Sequence, residues 1–478
     1  MTPQPIPLTE LLAATGADVR GDLPAETVFR WVERNSSDVV PGDLFIAVRG
    51  ETHDGHAFVS DAAGRGATAA LVSRAWADAR TDPPLPLLVV EEPVAALQRL
   101  AAARRDALAP TVVGITGSVG KTSTKEVVAA VLARRFATYK SPGNMNSEIG
   151  LPLSLLEMPT GAEVAVLEMG GAYAFGELAL LAGIARPTIA VVTNVHPVHL
   201  ERMGTIENIA ITKAELVQAL PPDGVAVLNG DDARVLAMAH LAPGRVITYG
   251  LGPRNDVRAD RVETQGLRGS TFRLHLDGEV LRVAVPLVGS HAVELALAAI
   301  AVGSALGMHI SEMLPGFDDP DTQVRLLVTP GPNGSIMIDD TYNASTPSVL
   351  SALGLLAELT PGRRIAVLGD MREMGDISEE EHRLVGRRSA EVADVVVTFG
   401  ELARVIAEEA TVASGEAAGR GPAVTSFGLD QRDELIAHLR GELGVGDIVL
   451  LKGSRGLRME EVVGALRSTP ADDAAVSS

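Results

Sequence analysis

Short apolar runs alternate with amphipathic segments through most of this chain. Runs such as TVVGIT (111–116) and TIAVVTNV (188–195) are short and rich in β-branched residues, whereas residues 205–220 repeat apolar positions at helical spacing. Buried strands that alternate with amphipathic helices are typical of a parallel sheet covered by helices on both faces. The pattern therefore predicts an α/β protein.

The alternation falls into three blocks, which suits a length of 478 residues. The pattern predicts a small α/β unit over residues 1–108 and a longer one over residues 109–322, which contains a β-rich insertion at about 246–288. It predicts a third α/β unit over residues 323–470, followed by a disordered tail at 471–478. We predict strands over residues 43–48, 67–72, 87–90, 111–116, 163–169, 188–195, 224–229, 335–340, 364–370, 392–400 and 447–453, and helices over 8–16, 93–108, 125–136, 176–185, 205–220, 291–306 and 348–359.

Composition excludes several classes of protein. The 61 acidic residues exceed the 41 basic ones by 20, which argues against a general nucleic-acid binder and against docking on anionic lipid. Cysteine is absent, so disulfides, thiol nucleophiles and iron–sulfur clusters are excluded. The N-terminus does not resemble a secretory signal, and the longest apolar helical stretch, 293–306, is shorter than the ~20 residues that span a bilayer. We expect a cytoplasmic protein without membrane insertion, and a monomer, since no heptad pattern is visible.

Residues 114–122, GITGSVGKT, match the P-loop pattern and lie between a predicted strand and a predicted helix. Glycines allow backbone N–H groups to turn towards phosphate oxygens, and the helix N-terminus adds its positive end. We expect Lys121 to reach the outer phosphates and the Thr122 hydroxyl to bind Mg²⁺. The motif predicts a nucleoside triphosphatase but leaves the phosphate acceptor open.

Other candidate residues follow predicted strands or lie in helices. Glu168 ends the strand 163–169, where it either binds the nucleotide Mg²⁺ or is a solvated acid. His199 follows the next strand and Lys213 lies in a helix, positions at which a surface role is the more usual one. His53 and His56, in HDGH, could form a metal site, but we favour a loop role or a sugar-nucleotide contact.

Longer segments resemble the Mur ligases over nearly the whole chain and in the family's order. These segments are PGDLFIAVRGETHDGHAFV (41–59), GSVGKTSTKE (117–126), SPGNMNSEIGLPLSLL (141–156), VLEMGG (166–171), TNVHPVHLERMGTIENIAITKAEL (193–216), DDTYNAS (339–345), LGDMREMG (368–375) and LLKGSRGLRMEEVV (450–463). The resemblance implies three α/β domains, with a central P-loop parallel-sheet ATPase domain and a C-terminal Rossmann-like domain. The third-block motifs look like those of members that join D-alanyl-D-alanine to UDP-N-acetylmuramoyl-tripeptide through an acyl phosphate.

The resemblance also implies roles for individual residues. It implies ATP binding by Gly117, Ser118, Val119, Gly120, Lys121, Thr122 and Ser123, joined on closure by Asp340, Tyr342 and Asn343. It implies catalytic roles for Lys121, Glu168, His199 and Lys213, and two Mg²⁺ ions held by Thr122, Glu168, His199 and Lys213, the lysine being carbamylated in many members. It implies substrate contacts from Ser36, Arg49, Asn144, Asn146, Lys452, Ser454 and Arg455.

Some positions depart from the family pattern. The chain has Asn35-Ser36-Ser37 where an arginine usually ends the signature, and Ala292 and Leu295 where asparagines are expected near adenine. Ser147 and Ser345-Thr346 are further departures. These differences leave open a sibling ligase with another carboxylate and amine. The intact set of Lys121, Glu168, His199 and Lys213 argues against a non-catalytic ATP binder, which needs no second metal site. A kinase or a GTPase does not explain a third α/β block that carries Asp340, Lys452 and Arg455.

Overall fold

The computed structural model describes residues 4–50, 53–171, 174–289, 291–319, 327–359, 362–416 and 421–467. The predicted tail at 471–478 and the predicted boundary between residues 322 and 323 lie outside these ranges. Three sheets of five to nine strands follow one another along the described residues, and we refer to the parts that contain them as the N-terminal, central and C-terminal units.

The N-terminal unit contains a five-stranded sheet in the order β2-β7-β6-β5-β4, in which only β2 runs antiparallel to its neighbour. A separate antiparallel pair joins β1 to β3. The elements are β1 (Ile6–Pro7), α1 (Leu8–Thr15), β2 (Asp18–Arg20), β3 (Val28–Phe29), β4 (Val32–Glu33), β5 (Leu44–Ile46), α2 (Val59–Gly64), β6 (Ala69–Ser73), α3 (Arg74–Asp78), β7 (Leu87–Val90) and α4 (Pro93–Leu108).

The central unit contains a nine-stranded sheet in the order β16-β15-β14-β13-β12-β11-β8-β10-β9. Its strands are β8 (Thr111–Thr116), β9 (Thr138–Lys140), β10 (Val164–Glu168), β11 (Ile189–Val192), β12 (Val225–Asn229), β13 (Arg245–Gly250), β14 (Val257–Thr264), β15 (Ser270–Leu276) and β16 (Glu279–Val285). Its helices are α5 (Lys121–Leu132), α6 (Gly150–Glu157), α7 (Glu177–Ala185), α8 (Leu200–Met203), α9 (Ile206–Gln218), α10 (Ala233–Leu236), α11 (Ala292–Ala305) and α12 (Ile310–Met313).

The C-terminal unit contains a six-stranded sheet in the order β17-β18-β22-β19-β20-β21, parallel except for the edge strand β17. Its strands are β17 (Leu327–Pro330), β18 (Ile336–Asp340), β19 (Arg364–Gly369), β20 (Val395–Phe399), β21 (Ala423–Phe427) and β22 (Ile448–Lys452). Its helices are α13 (Thr346–Glu358), α14 (Ser378–Val392), α15 (Ala403–Glu416), α16 (Arg432–Glu442) and α17 (Glu460–Leu466).

The central sheet has an apolar layer on each face, as the alternating pattern predicts. Val113 and Ile115 of β8 pack in one cluster with residues of α5 and α11, whereas Val112 packs on the other face with α6, α7 and α9. Successive side chains of a strand point to opposite faces, so a strand buried on both faces is apolar throughout.

Two predictions about the central unit were wrong. Helix α5 begins at Lys121 rather than 125, because Gly120 (φ 84°) completes the phosphate loop immediately before it. Residues 246–288 do not form an insertion. Strands β13 and β14 extend the sheet in parallel, and β15 and β16 continue it antiparallel.

The N-terminal unit packs against the central unit through α4. Helix α4 contacts α6 and α7, and only Ala109 and Pro110 separate it from β8. The buried Arg105 guanidinium donates to the Ile184 carbonyl oxygen at 3.1 and 3.3 Å. In the described part of the chain, no helix combines the length and apolar character that crossing a membrane requires.

Candidate active site

The phosphate-binding loop connects β8 to α5 in the middle of the central sheet. Gly117 has a φ of 149°, and a Cβ at this position would lie 1.9 Å from the Thr193 hydroxyl oxygen, so only glycine fits. The Lys121 Nζ donates to the carbonyl oxygens of Gly117 (2.8 Å) and Ser118 (3.2 Å), which holds the ammonium over the loop.

The segment that follows β11 fixes the shape of this loop. The Asn194 side chain accepts from the Val119 N–H (2.8 Å) and donates to its carbonyl oxygen (3.0 Å). The Ser118 hydroxyl donates to the His196 carbonyl oxygen (3.0 Å) and accepts from the His196 N–H (2.9 Å). Because β10 and β11 flank β8, their carboxyl ends meet at the loop.

Glu168 ends β10 beside the loop and is buried. Its carboxylate accepts from the Thr122 hydroxyl (2.6 Å) and from the Asn146 side-chain amide (2.7 Å). Thr122, Glu168 and Asn146 therefore supply a group of oxygen atoms at the carboxyl end of the sheet. Mg²⁺ prefers such hard oxygen ligands.

Lys213 is buried on α9 and faces the same region. Its Nζ donates to the carbonyl oxygens of Gly171 (2.6 Å) and Gly170 (3.2 Å). Burial, reinforced by the nearby charge of Lys121, lowers the pKa of the Lys213 ammonium to about 7. This shift favours the neutral amine over the ammonium.

His199 adopts a left-handed backbone (φ 56°) immediately before α8. Its Nδ1 hydrogen-bonds the Glu373 carboxylate of the C-terminal unit. The His199 imidazole lowers the pKa of Glu373 through this hydrogen bond. The contact joins the two units at the edge of the site.

The C-terminal unit contributes polar residues from the ends of β18 and β22. The buried Lys452 Nζ forms an ion pair with Asp340 (2.7 Å) and donates to the Asn343 carbonyl oxygen (2.8 Å). The Arg455 guanidinium carbon lies 5.7 Å from the centre of the Tyr342 ring. These residues occupy the carboxyl edge of the sheet, where α/β proteins usually bind ligands.

Both sets of residues line one cleft between the central and C-terminal units, with a volume of about 560 Å³. Most of the predicted site residues line this cleft, including Lys121, Glu168, His199 and Lys213. Thr122 is not in the lining, but its hydroxyl hydrogen-bonds Glu168, which is. Further predicted residues in the lining are Gly117, Ser118, Val119, Gly120, Ser123, Asn144, Asn146, Asp340, Tyr342, Asn343, Lys452, Ser454 and Arg455.

Sequence reasoning missed several residues that line the cleft. Arg372 and Glu373 stood in the motif LGDMREMG without an assigned role. Tyr249, His291 and Glu294 also line the cleft, and Tyr249 lies on a strand that the pattern predicted as part of an insertion. The position of Tyr249 depends on how β13 joins the sheet, which no local motif indicates.

Ser36 and Arg49 lie in the N-terminal unit, apart from the residues that line this cleft. Arg49 is exposed and forms an ion pair with Asp54 (3.1 Å). The Ser36 side chain hydrogen-bonds Asp61 and lowers the pKa of that carboxyl. The structure assigns neither residue a ligand.

The HDGH segment forms an internal hydrogen-bond network. The His56 Nε2 accepts from the Ser73 N–H (3.0 Å), so Nδ1 carries the proton and donates to Asp54 (2.6 Å). This bond is the main reason that the pKa of Asp54 falls to about 2. Within the described ranges, no group of three or more His, Cys, Asp or Glu side chains could hold a metal ion.

The fold and the site define a P-loop enzyme that presents nucleotide phosphates to a cleft between two α/β units. Three family models match most of the chain: the Mur ligase family catalytic domain over residues 29–105, the Mur ligase middle domain over 115–303, and the Mur ligase glutamate ligase domain over 324–455. The chain belongs to the Mur ligase family, whose members are ATP-dependent ligases.

Two similar proteins are named UDP-N-acetylmuramoyl-tripeptide–D-alanyl-D-alanine ligase. The Bacillus subtilis (strain 168) protein is 35% identical over 456 residues, which cover 93% of this chain and 94% of the relative. The Escherichia coli (strain K12) protein is 32% identical, covering 97% of this chain and 98% of the relative.

Solved structures of similar proteins also support the assignment to the Mur ligase family. A crystal structure of MurF from Acinetobacter baumannii has a TM-score of 0.84 at 29% identity, covering 97% of this chain and 99% of the other. The structure of MurF ligase from Thermotoga maritima in complex with ADP has a TM-score of 0.75 at 30% identity, covering 91% of this chain and 96% of the other. The predicted three-domain Mur ligase architecture is confirmed.

Proposed function

We propose that this chain joins D-alanyl-D-alanine to the terminal carboxyl of UDP-N-acetylmuramoyl-tripeptide, using ATP and forming an acyl phosphate. One observation carries the proposal: a single cleft is lined on one side by the phosphate loop and Lys121, and on the other by Lys452 and Arg455 at a sheet edge of a second unit. The activity named for full-length relatives supports the choice of substrates. The substrates are small cytoplasmic molecules, and we propose that the chain acts there as a monomer.

The donor set fits Mg²⁺. Glu168 and the Thr122 hydroxyl lie 2.6 Å apart beside the phosphate loop, and both offer oxygen atoms. We propose that these residues hold a first ion, and that His199 and a carbamylated Lys213 hold a second. The lowered pKa of Lys213 favours the neutral amine that carbamylation by CO₂ requires. When bound, Mg²⁺ neutralises negative charge on the phosphates.

The first step makes the substrate carboxyl reactive. A carboxylate oxygen of the tripeptide attacks the γ-phosphorus of ATP, the bond to ADP breaks, and an acyl phosphate forms. Lys121 lies over the loop and balances charge on the transferred group, so catalysis rests on positioning and electrostatics.

The second step forms the amide. The free amine of D-alanyl-D-alanine attacks the acyl carbon, the tetrahedral adduct loses phosphate, and the nitrogen loses a proton. An α-amino group has a pKa of about 7.7–8.0, so a modest shift suffices to free it at neutral pH. The cleft between the two units protects the acyl phosphate from water.

The test is ATP-dependent phosphate release with UDP-N-acetylmuramoyl-tripeptide, with and without D-alanyl-D-alanine, followed by mass spectrometry. We expect release to need both substrates and the product to gain one dehydrated dipeptide. Lys121→Met should lower kcat by about 10²–10³-fold while the chain stays folded. A matched control, Lys140→Met, alters a lysine that the cleft lining does not include.

No turnover by a folded, ATP-binding protein would contradict the proposal. It would instead favour the sibling ligase with a different carboxylate and amine. The departures at Ser37, Ala292 and Leu295 motivate that second candidate.

A further inference from the structure

A hydrogen bond between the His199 imidazole and the Glu373 carboxylate joins the central unit to the C-terminal unit at the edge of the cleft. The Nδ1 atom of His199 makes this bond, whereas no group among the described residues hydrogen-bonds its Nε2 atom. His199 lines the cleft and keeps 30% of its side chain exposed. One ring nitrogen is therefore held by the C-terminal unit, and the other remains available to a ligand.

Both partners have a backbone conformation that residues other than glycine seldom adopt. The φ angle is 56° at His199 and 65° at Glu373. Left-handed positions of this kind are unfavourable for a residue with a Cβ, and they persist where the surrounding structure holds them, most often at functional sites. Two such positions that face each other across one hydrogen bond indicate that both segments are shaped to make this contact.

The loop that carries Glu373 is anchored on both sides of this residue. Met371 and Met374 are buried in the apolar core of the C-terminal unit. The Arg372 backbone N–H donates to the Ser454 hydroxyl at 2.9 Å. Because its neighbours are fixed in this way, the Glu373 carboxylate is presented to the central unit from a rigid support.

The segments next to the hydrogen bond also pack against each other. Helix α8 begins directly after His199 and contacts the short turn Gly375–Ile377. A Cβ on Gly375 would lie 3.5 Å from the Cγ of Glu201 on α8, which is ordinary van der Waals distance. The imidazole and the carboxylate therefore meet where the two units are already in contact.

The partner of one ring nitrogen decides what the other nitrogen of a histidine can do. In a neutral imidazole one nitrogen carries the proton and the other keeps a lone pair that can bind a cation or accept a hydrogen bond. A carboxylate that accepts from Nδ1–H fixes this tautomer and the ring orientation, and leaves the lone pair on Nε2. Carboxylates commonly support metal-binding histidines in this way.

We propose that Glu373 is a positioning residue, which holds the His199 imidazole in the Nδ1–H form with Nε2 directed into the cleft. The inference rests on the proposed function, because that function gives His199 its role. It adds that a carboxylate of the C-terminal unit sets the orientation of a site residue on the central unit. One side of the cleft is thus ordered by the other.

The first test is the tautomer of His199, read from long-range ¹H–¹⁵N correlations of the full chain with labelled histidine and without ATP, metal or substrate. The His199 signal is identified by its loss in His199→Gln. At about pH 8.5, where histidines are generally neutral, we expect the Nδ1–H form in the wild type. Glu373→Ala removes the acceptor and should shift His199 towards the Nε2–H form that free imidazole side chains favour. Glu373→Gln retains an acceptor oxygen and should keep Nδ1–H.

The second test is steady-state kinetics of the same variants. Glu373→Ala should lower kcat by about 10- to 100-fold, the usual effect of removing the carboxylate behind a metal-binding histidine, while each KM changes by less than about threefold. Glu373→Gln should recover most of the lost kcat. A matched control, Glu380→Gln, removes an exposed carboxylate on α14 and should equal the wild type in both tests.

The Nε2–H form in the wild type, or an unchanged tautomer in Glu373→Ala, would overturn the proposal. An effect of Glu373→Ala confined to one KM would also overturn it, since that result would indicate a direct substrate contact. A wild type that does not turn over D-alanyl-D-alanine would contradict the proposed function alone. The tautomer measurement needs no substrate and would still decide whether Glu373 orients His199.

Discussion

At the scale of single residues, buried polar side chains hold the loops that form the cleft. His382 on α14 is fully buried, and its Nε2 accepts from the Met371 N–H (3.0 Å) while its Nδ1 donates to the Ser378 carbonyl oxygen (2.6 Å). The imidazole is therefore neutral. It anchors the loop that continues to Arg372 and Glu373.

This arrangement predicts a pH dependence of stability. Burial lowers the pKa of His382, so the unfolded chain takes up a proton near pH 6.5 that the folded chain resists. Stability from this residue is present above pH 6.5 and is lost as pH falls from there through the lower folded pKa. His382→Gln should lower the free energy of unfolding by about 1–3 kcal/mol at pH 7.5.

The measurement is the urea midpoint of wild type and variant between pH 7.5 and 5.5. The difference between the two midpoints should shrink as pH falls. His240→Gln, which alters an exposed histidine of the central unit, serves as the control. A difference that stays constant with pH would show that His382 does not titrate as described.

At the scale of elements, Lys125 links α5 to the loop that carries Asn144 and Asn146. Its side chain is fully buried, and its Nζ donates to the carbonyl oxygens of Ser141 (2.6 Å) and Gly143 (2.9 Å). Glu126 lies 3.0 Å from the same Nζ and balances its charge. One buried cation thus fixes where a neighbouring loop enters the cleft.

Lys125→Met should destabilise the chain by about 3–5 kcal/mol, because it leaves the Ser141 and Gly143 carbonyl groups without their buried donor and removes the more buried of the two cations that pair with Glu126. Displacement of the loop should also raise KM for the UDP-tripeptide. Thermal unfolding and steady-state kinetics measure the two effects. Lys140→Met, which removes the more exposed partner of Glu126, should cost about 1 kcal/mol or less. Similar losses in the two variants would contradict the anchoring role.

The elements show which features a sequence reveals. Helix α4 was predicted with its observed bounds because Pro93 starts it and apolar positions recur at helical spacing up to Leu108. The start of α5 was misplaced because the polar run KTST belongs to the phosphate loop and the helix together. Strands β13 and β14 were misassigned because no local pattern shows whether a β-rich segment forms a separate insertion or extends the existing sheet.

The residues of the candidate site also fall into those that a local sequence pattern predicts and those that only the tertiary structure brings together. The phosphate loop and Glu168 follow from strand ends and glycine spacing, both local properties of the chain. The contact between His199 and Glu373 joins residues 174 positions apart. The close approach of the Arg372 guanidinium to Gly456 depends on the adjacent positions of strands β19 and β22. Such contacts follow from tertiary structure, which motifs alone do not encode.

At the scale of the whole molecule, one side of the cleft belongs to the central unit and the other to the C-terminal unit. The proposed reaction therefore requires these two units to lie close together. The N-terminal unit is packed on the central one through α4, and the C-terminal unit contacts it through Glu373. The proposed reaction requires an acyl phosphate on one side of this cleft to meet an amine on the other.

Transfer of an oxygen atom tests this account most directly. UDP-N-acetylmuramoyl-tripeptide labelled with ¹⁸O in its terminal carboxyl is incubated with ATP, D-alanyl-D-alanine and the chain, and the released phosphate is analysed by mass spectrometry. The account predicts that one labelled oxygen leaves with each phosphate, because the carboxylate oxygen that attacks phosphorus departs when the amide forms. Amide product accompanied by unlabelled phosphate would contradict the acyl-phosphate route.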